Sequence, residues 1–117
     1  MSPVVHLELH TPQLRRACAT YAELCGWPAE RLCTRAGAYT ALGLGDALGG
    51  GVVECGVERA LWLPYVRVGE IRAATDRASA LGARVLIAPR EGPAGWRAVV
   101  STEEGGELAF WQPKERA

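Results

Sequence analysis

The sequence predicts an α+β fold made of two tandem βαβββ modules. A strand pattern followed by an amphipathic helix occurs twice, and glycines suited to helix ends follow the two helices at Gly26 and Gly82. After each helix the chain carries three further segments of strand character, separated by turn-forming residues. Because a repeat of about 55 residues is small for an independent core, we expect the modules, at about 1–58 and 59–117, to form one domain.

The first module opens with a strand in which polar and apolar side chains alternate over residues 6–10. Since successive side chains of a strand point to opposite faces, one face carries apolar residues and the other carries ionisable ones. The apolar set is Val5, Leu7 and Leu9, and the polar set is His6, Glu8 and His10. We expect the apolar face to be covered and the polar face to line a cavity or groove.

The first helix is predicted over residues 12–24, because Thr11 can cap free backbone amides and Pro12 has none to leave unpaired. Its apolar face consists of Leu14, Ala17, Cys18, Tyr21 and Cys25. Strands are predicted at residues 30–34, 39–44 and 52–55, with turns at Ala36-Gly37 and Gly45-Asp46. The run Gly49-Gly50-Gly51 indicates either a bulge or a close approach by backbone or ligand, and we favour the bulge.

The second module repeats this order after a short joint at residues 56–60. Strands are predicted at 62–68, 84–87, 96–101 and 107–112, and a helix at 70–81. The buried side of that helix is predicted to carry Ile71, Ala74, Ala78 and Leu81. A ferredoxin-like βαββ domain is the alternative fold, but three strands after each helix weigh against it.

Composition narrows the classes of partner. The 13 lysines and arginines balance the 13 aspartates and glutamates, so no long-range field favours nucleic acid. No apolar run is long enough to span a membrane, and the first residues do not resemble a secretory signal, so we expect a soluble cytoplasmic protein. The four cysteines, Cys18, Cys25, Cys33 and Cys55, lack metal or redox spacing and are interpreted as reduced core thiols.

Several segments, in this order and spacing, carry a resemblance to a known family. They are residues 6–9, 21–27, 49–51, 62–68, 95–100 and 106–113. In them the sequence resembles the vicinal oxygen chelate superfamily, also called the glyoxalase/bleomycin-resistance/dioxygenase group. The resemblance covers nearly the whole chain. It implies a glyoxalase-type pair of half-barrels, with a cavity between the two sheets, and a homodimer.

Metal-using members of that family take one ligand from the first and one from the last strand of each module. The resemblance places His6 and Leu63 at the early positions, and Glu54 and Ala109 at or near the late ones. Leucine and alanine cannot ligate a metal, whereas a catalytic metal needs about three protein ligands. We therefore expect neither a metal nor another cofactor. The alternative is a metal-dependent lyase, isomerase or dioxygenase that uses His6 and Glu54.

The candidate ligand-binding residues combine aromatic, aliphatic and charged groups, as small-molecule pockets do. They are His6, Glu8, Glu54, Leu63, Tyr65, Arg67, Trp96, Glu107, Ala109 and Trp111. The sequence thus favours metal-independent binding of a small, partly aromatic organic molecule. Packing in the core or a dimer contact explains Trp62, Trp96 and Trp111 equally well.

Three further questions stay open at the level of sequence. Glu8 could pair with a cation such as Arg67, and we expect His10 to lie exposed near the start of the helix. The protein could instead be a metal-free enzyme with His6 or Glu8 as general base. It could also be a module whose groove takes a segment of a partner protein. Catalytic residues, and whether there is catalysis at all, cannot be assigned from the sequence.

Overall fold

The computed structural model describes residues 1–34, 37–45, 48–56 and 60–114. Its elements are β1 (Val4–Thr11), α1 (Leu14–Cys25), β2 (Ala29–Thr34), β3 (Gly37–Leu42), β4 (Gly49–Glu54), β5 (Leu61–Arg67), α2 (Ile71–Ala80), β6 (Arg84–Glu91), β7 (Gly95–Thr102) and β8 (Gly106–Pro113). Each helix is followed by three strands, so the predicted α+β fold of two tandem βαβββ modules is confirmed. The predicted turns at Ala36 and Asp46 and most of the predicted joint lie outside the described residues.

The chain divides into two compact units. The amino-terminal unit is Val5–Leu63, and the carboxy-terminal unit is Met1–Val4 together with Pro64–Ala117. Strands follow the order β2-β3-β4-β1 in the first unit and β6-β7-β8-β5 in the second. In each unit the first and last strands of the module pair in parallel, and the other neighbours are antiparallel. The two units therefore repeat one topology. That they form a single domain stays a prediction.

The core of the amino-terminal unit lies between its sheet and α1. Leu9, Leu42 and Val52 are almost fully buried there. The predicted helix face packs against them through Leu14, Ala17, Cys18 and Tyr21. Trp62 joins the same cluster and meets the Tyr21 ring edge-on, with centroids 5.3 Å apart. For Trp62, then, the core interpretation holds.

Two side chains bind the first turn of α1, which starts two residues later than predicted. The Thr11 hydroxyl accepts a hydrogen bond from the Gln13 amide at 3.1 Å, one step before the helix. The Glu54 carboxylate accepts one from the Leu14 amide at 3.0 Å. Because the first amides of a helix have no intrahelical acceptor, these contacts stabilise the helix start. The helix ends at Gly26 with φ of 72°, as predicted.

The second helix packs against β6, β7 and β8. At its start the Glu70 carboxylate accepts hydrogen bonds from the amides of Arg72 and Ala73. Ile71 is buried as predicted, but Leu81 lies beyond the last helical residue and is 77% exposed, so its predicted burial is wrong. Thr75 takes a buried position instead, where its hydroxyl donates to the Ile71 carbonyl at 2.7 Å.

The four cysteines are free thiols, as expected. Cys18 and Cys55 are partly buried, whereas Cys25 and Cys33 are exposed, so the core assignment was wrong for those two. Cys25 is the last residue of α1, and Cys33 lies on β2, the outermost strand of its unit. No helix among the described residues is long and apolar enough to cross a membrane.

Candidate functional site

The polar face of β1 carries a compact cluster of three ionisable side chains. The Glu8 carboxylate lies 2.6 Å from His10 Nε2 through one oxygen and 3.8 Å from His6 Nε2 through the other. The His6 side chain is 31% exposed, that of Glu8 18% and that of His10 19%. The prediction that His10 is exposed near the helix was wrong, because the Glu8 carboxylate holds its ring against the strand. An imidazole hydrogen-bonded to a carboxylate is oriented, as in acid-base sites.

The three glycines of β4 make room for neighbouring groups. The β1 and β4 strands pair in parallel without a break, with His6 opposite Gly49 and Glu8 opposite Gly51. A Cβ atom on Gly49 would lie 2.8 Å from His6 Nδ1, and one on Gly51 would lie 3.4 Å from His6 Nε2. The favoured bulge was therefore wrong, and the close-approach interpretation is correct. Glycines let the His6 imidazole lie flat against the neighbouring strand.

Glu54 lies on the opposite face of the sheet from His6. In the parallel register Val52 is opposite Leu9 and Glu54 is opposite Thr11, so alternation places Glu54 on the face that packs against α1. Its carboxylate receives the Leu14 amide of that helix. The structure thus gives Glu54 a capping role and does not bring it together with His6. The two candidate ligands of the alternative metal site therefore lie on opposite faces of the sheet.

In the carboxy-terminal unit, most of the predicted residues share the sheet face opposite α2. The register places Tyr65 beside Ala109, and Arg67 beside Trp111. Trp111 is in turn opposite Arg97 of β7. We call this surface the distal face, defined by Tyr65, Arg67, Arg97, Ala109 and Trp111. It carries two aromatic rings and two guanidinium groups around an alanine that is fully buried.

The Trp111 indole is seated over a glycine on the distal face. A Cβ atom on Gly95 would lie 2.9 Å from the far edge of that ring, so a larger residue there would displace it. Glu107 follows the same alternation two residues before Ala109 and is exposed. Leu63 belongs to the amino-terminal unit and is 1% exposed.

Trp96 does not belong to the distal face. It is opposite Gln112, whose side-chain oxygen accepts a hydrogen bond from the Ile71 amide at the start of α2. The Arg72 guanidinium of the same helix lies 5.9 Å from the Trp96 ring centroid. Trp96 therefore packs on the helix side of the sheet, whereas Trp111 lies on the distal face.

Arg97 is a distal-face residue that the sequence reasoning missed. Its guanidinium carbon lies 5.8 Å from the centroid of the Tyr65 ring, within the range of a cation–π interaction. Its Nε atom is buried and has no hydrogen-bond partner within the described residues. The signal available in the sequence was the alternation itself, because a strand with Trp96 on the helix side must turn Arg97 the other way.

The donors needed for the metal site of the resembled family do not come together. Within the described part of the chain no group of three histidine, cysteine, aspartate or glutamate side chains could hold a metal ion. Leu63 and Ala109, at two of the ligand positions, are apolar and 1% and 0% exposed. Glu54 caps a helix on the other face. These residues do not fit a catalytic metal, which needs three or more ligands within about 2.3 Å.

A separate depression of about 300 Å³ lies along α1. It is lined by Thr11, Pro12, Gln13, Arg16, Ala17, Thr20, Tyr21 and Ala60. None of the predicted site residues lines it.

Comparison with known proteins gives a fold but no close relative. No model of a known protein family matches the sequence, and no curated protein matches it either. Solved structures do match. Methylmalonyl-CoA epimerase from Mycobacterium tuberculosis has a TM-score of 0.63 at 16% identity, over 96% of this chain and 88% of the other. A hypothetical protein from Bacillus halodurans has a TM-score of 0.67 at 14% identity, over 99% and 97%.

Both structures belong to the vicinal oxygen chelate superfamily. This chain has the vicinal oxygen chelate fold. A third match with this fold is a variant of Streptomyces coelicolor methylmalonyl-CoA epimerase in complex with 2-nitronate-propionyl-CoA, with a TM-score of 0.65 at 13% identity over 97% and 95% of the two chains. The resemblance drawn from the sequence is thereby confirmed at the level of the fold. At these identities the matches establish the fold, and the function has to be argued from the site.

Proposed function

We propose that this vicinal oxygen chelate protein binds a small, partly aromatic organic molecule without a metal. The observation that carries the proposal is the composition of the distal face. Trp111, which is partly buried, offers aromatic surface, the buried Tyr65 and Ala109 adjoin it, and two arginines provide charge. Few convergent polar groups among apolar walls are typical of small-molecule sites. The matched epimerase that holds 2-nitronate-propionyl-CoA provides a precedent for a small organic ligand on this fold.

The donor set supports the metal-independent form of this proposal. Two of the four family ligand positions carry Leu63 and Ala109, and the carboxylate of Glu54 is committed to the Leu14 amide. The alternative, a metal-dependent lyase, isomerase or dioxygenase, would need a ligand set that these residues do not offer. Metal content of protein purified without chelators distinguishes the two. Stoichiometric zinc, nickel, manganese or iron would favour the alternative.

The ligand is sought with a library of metabolites and antibiotics, followed by tryptophan fluorescence and calorimetry in the presence and absence of EDTA. Trp111→Phe and Trp96→Phe form a matched pair, since both residues lie in one unit but on opposite sheet faces. We expect binding to survive EDTA, to weaken at least about 5-fold in Trp111→Phe and to persist in Trp96→Phe. Equal effects of the two variants, or a strict metal requirement, would contradict the proposal.

The Glu8 cluster favours a second candidate function, metal-free general acid-base chemistry. The 2.6 Å contact orients the His10 ring, and His6 stands on the other side of the same carboxylate. Such an arrangement provides a positioned imidazole–carboxylate pair, the kind of group that general acid-base chemistry uses. Once a substrate is known, Glu8→Gln should lower turnover at least about 100-fold while leaving ligand affinity within a few fold. Full turnover in that variant would remove this candidate.

Assembly and location are also proposals. We infer a homodimer from the family resemblance, and a cytoplasmic location without nucleic acid or membrane as partner from the composition. Light scattering coupled to size-exclusion chromatography measures the mass directly. A mass of one 12.5 kDa chain at all concentrations would contradict the dimer.

A further inference from the structure

The distal face has an excess of positive charge concentrated in one line across the sheet. The register places Arg67 of β5 beside Trp111 of β8, Trp111 opposite Arg97 of β7, and Arg97 opposite Arg90 of β6. Aligned cross-strand residues share a face, with Cβ atoms about 5 Å apart. We call this line the arginine row. Three of its four members are arginines.

Within the described residues, no ion pair neutralises the arginine row. Among the described residues of the carboxy-terminal unit there is one ion pair, between Glu91 and Lys114 at 3.6 Å, and neither residue belongs to the arginine row. Glu107, the distal-face carboxylate, stands four residues before Trp111 along β8, about 13 Å at 3.3 Å per residue. Like charges opposite each other on neighbouring strands are destabilising, so the Arg97 and Arg90 pair is unfavourable without an anion.

Arg97 is the most buried arginine of the row. Arg67 and Arg90 are exposed, whereas Arg97 is partly buried against the Tyr65 ring. The ring offsets some of the charge through its π face but accepts no hydrogen bond in the guanidinium plane. Nε is left without an acceptor in the described residues, and an unsatisfied buried donor of a charged group is unfavourable.

We propose that the distal face recognises a carboxylate on the ligand, with Arg97 as the residue that binds it. The inference rests on the proposed binding function and specifies its ligand as an organic acid. Two parallel N–H groups of the guanidinium would match the two carboxylate oxygens. The aromatic or acyl body would lie against Trp111. A singly charged carboxylate suits this partly buried, partly apolar position better than a doubly charged phosphate, which is costlier to desolvate.

Three probes with one ring system separate charge from shape, namely 2-naphthoate, the neutral 2-naphthamide and 2-naphthyl phosphate. They are titrated by calorimetry into the full chain and into Arg97→Met. Arg77→Met is the matched control, since it removes one exposed arginine from α2 in the same unit. For the unchanged protein we expect 2-naphthoate to bind at least 10-fold more tightly than the amide. That preference should fall to about 2-fold or less in Arg97→Met and persist in Arg77→Met.

Thermal unfolding without ligand provides a second readout. Because Arg97→Met removes an unsatisfied buried donor and a like-charge pair, its Tm should equal or exceed that of the unchanged protein. An ordinary structural arginine would give the opposite sign. Should Arg97→Met fail to fold, the inference of an unsatisfied donor is overturned on that ground. Arg97→Lys, which keeps the charge but not the planar fork, should lose at least 5-fold of the preference for the acid.

The outcomes separate this inference from the proposed function. Equal binding of acid and amide, both weakened in Trp111→Phe, keeps the binding function and overturns carboxylate recognition. Tighter binding of the phosphate than of the carboxylate overturns the choice of anion. A preference for the acid that survives Arg97→Met overturns the role of Arg97. If no naphthyl probe binds while the library yields a neutral ligand, only this inference fails, and if nothing binds at all, both fail.

Discussion

Alanine substitutions at the three consecutive glycines of β4 should give three different results. Gly50 is the most restricted position. A Cβ atom there would collide with the Leu42 main-chain oxygen and would lie 2.7 Å from Leu44 Cγ. The Leu42 carbonyl belongs to the end of β3, the neighbour of β4, so it cannot move away as a side chain can. Relief requires a shift of the backbone.

The magnitude follows from two opposing effects. Overpacking of a well-packed site costs about 1–3 kcal/mol, and the upper end applies where backbone must move. Alanine in a strand is better than glycine by about 0.5–1 kcal/mol, which offsets part of that cost. We expect Gly50→Ala to lower the free energy of unfolding by roughly 2 kcal/mol.

The other two glycines contact only a movable ring or an ordinary neighbour. At Gly51 the new Cβ would lie 3.4 Å from His6 Nε2, so alanine should be neutral or stabilise by about 0.5 kcal/mol. At Gly49 it would lie 2.8 Å from His6 Nδ1, and the imidazole must turn away. The cost of Gly49→Ala should stay near 1 kcal/mol, since a side-chain rotamer absorbs it.

Urea unfolding followed by tryptophan fluorescence measures all three, because Trp27 and Trp62 pack in the core of the same unit. Imidazole proton signals report the position of His6, with His10 as internal reference. Gly49→Ala should move the His6 signals, and Gly50→Ala should not move them directly. If Gly50→Ala were as stable as Gly51→Ala, the packing described for β4 would be wrong.

Three further substitutions test other contacts by urea unfolding. Glu54→Ala removes the acceptor of the Leu14 amide, and because this contact is exposed the free energy of unfolding should fall by about 0.5–1 kcal/mol. Glu54→Gln should lower it less. No change in either variant would argue against the capping role. Gln112→Ala removes the oxygen that accepts the Ile71 amide at 2.7 Å. Because this contact is partly buried, the free energy of unfolding should fall by more, about 1–2 kcal/mol. A loss equal to or smaller than that of Glu54→Ala would contradict the burial argument. Leu9→Ala empties a site that is 2% exposed and should cost about 3–4 kcal/mol, and a loss below 1 kcal/mol would mean that Leu9 is not a core residue.

The sequence was sufficient for the fold because its signals were local and repeated. The alternation of β1 and the spacing of α1 each followed from consecutive residues, and both are found in the structure. The glycine at the end of α1 adopts the left-handed conformation that its position predicted. Two copies of the same local pattern then fixed the order of elements. Exposure at the ends of elements was less predictable, as Leu81 and Cys25 show.

The site was less predictable because it depends on register between strands distant in sequence. Shifting a strand by one residue moves every side chain to the other face. The predicted strand began at Val52, but pairing with β1 begins at Gly49, and the face of Glu54 could not be decided without that register. Trp96 and Arg97 show the same effect. Their faces follow from the pairing of β7 with β8, and Gln112 marks the helix side.

The register also shows which β4 positions could place a further metal ligand beside His6. Within the amino-terminal unit, the β4 residues on the His6 face are those at positions 49, 51 and 53. A Cβ atom at position 51 would lie 3.4 Å from His6 Nε2. A carboxylate side chain at that position could therefore bind the same metal ion as the imidazole. The chain has glycine at 49 and 51 and valine at 53. No β4 residue on this face can therefore join His6 and the adjacent Glu8 in a metal site, because Glu54 lies on the opposite face and caps α1.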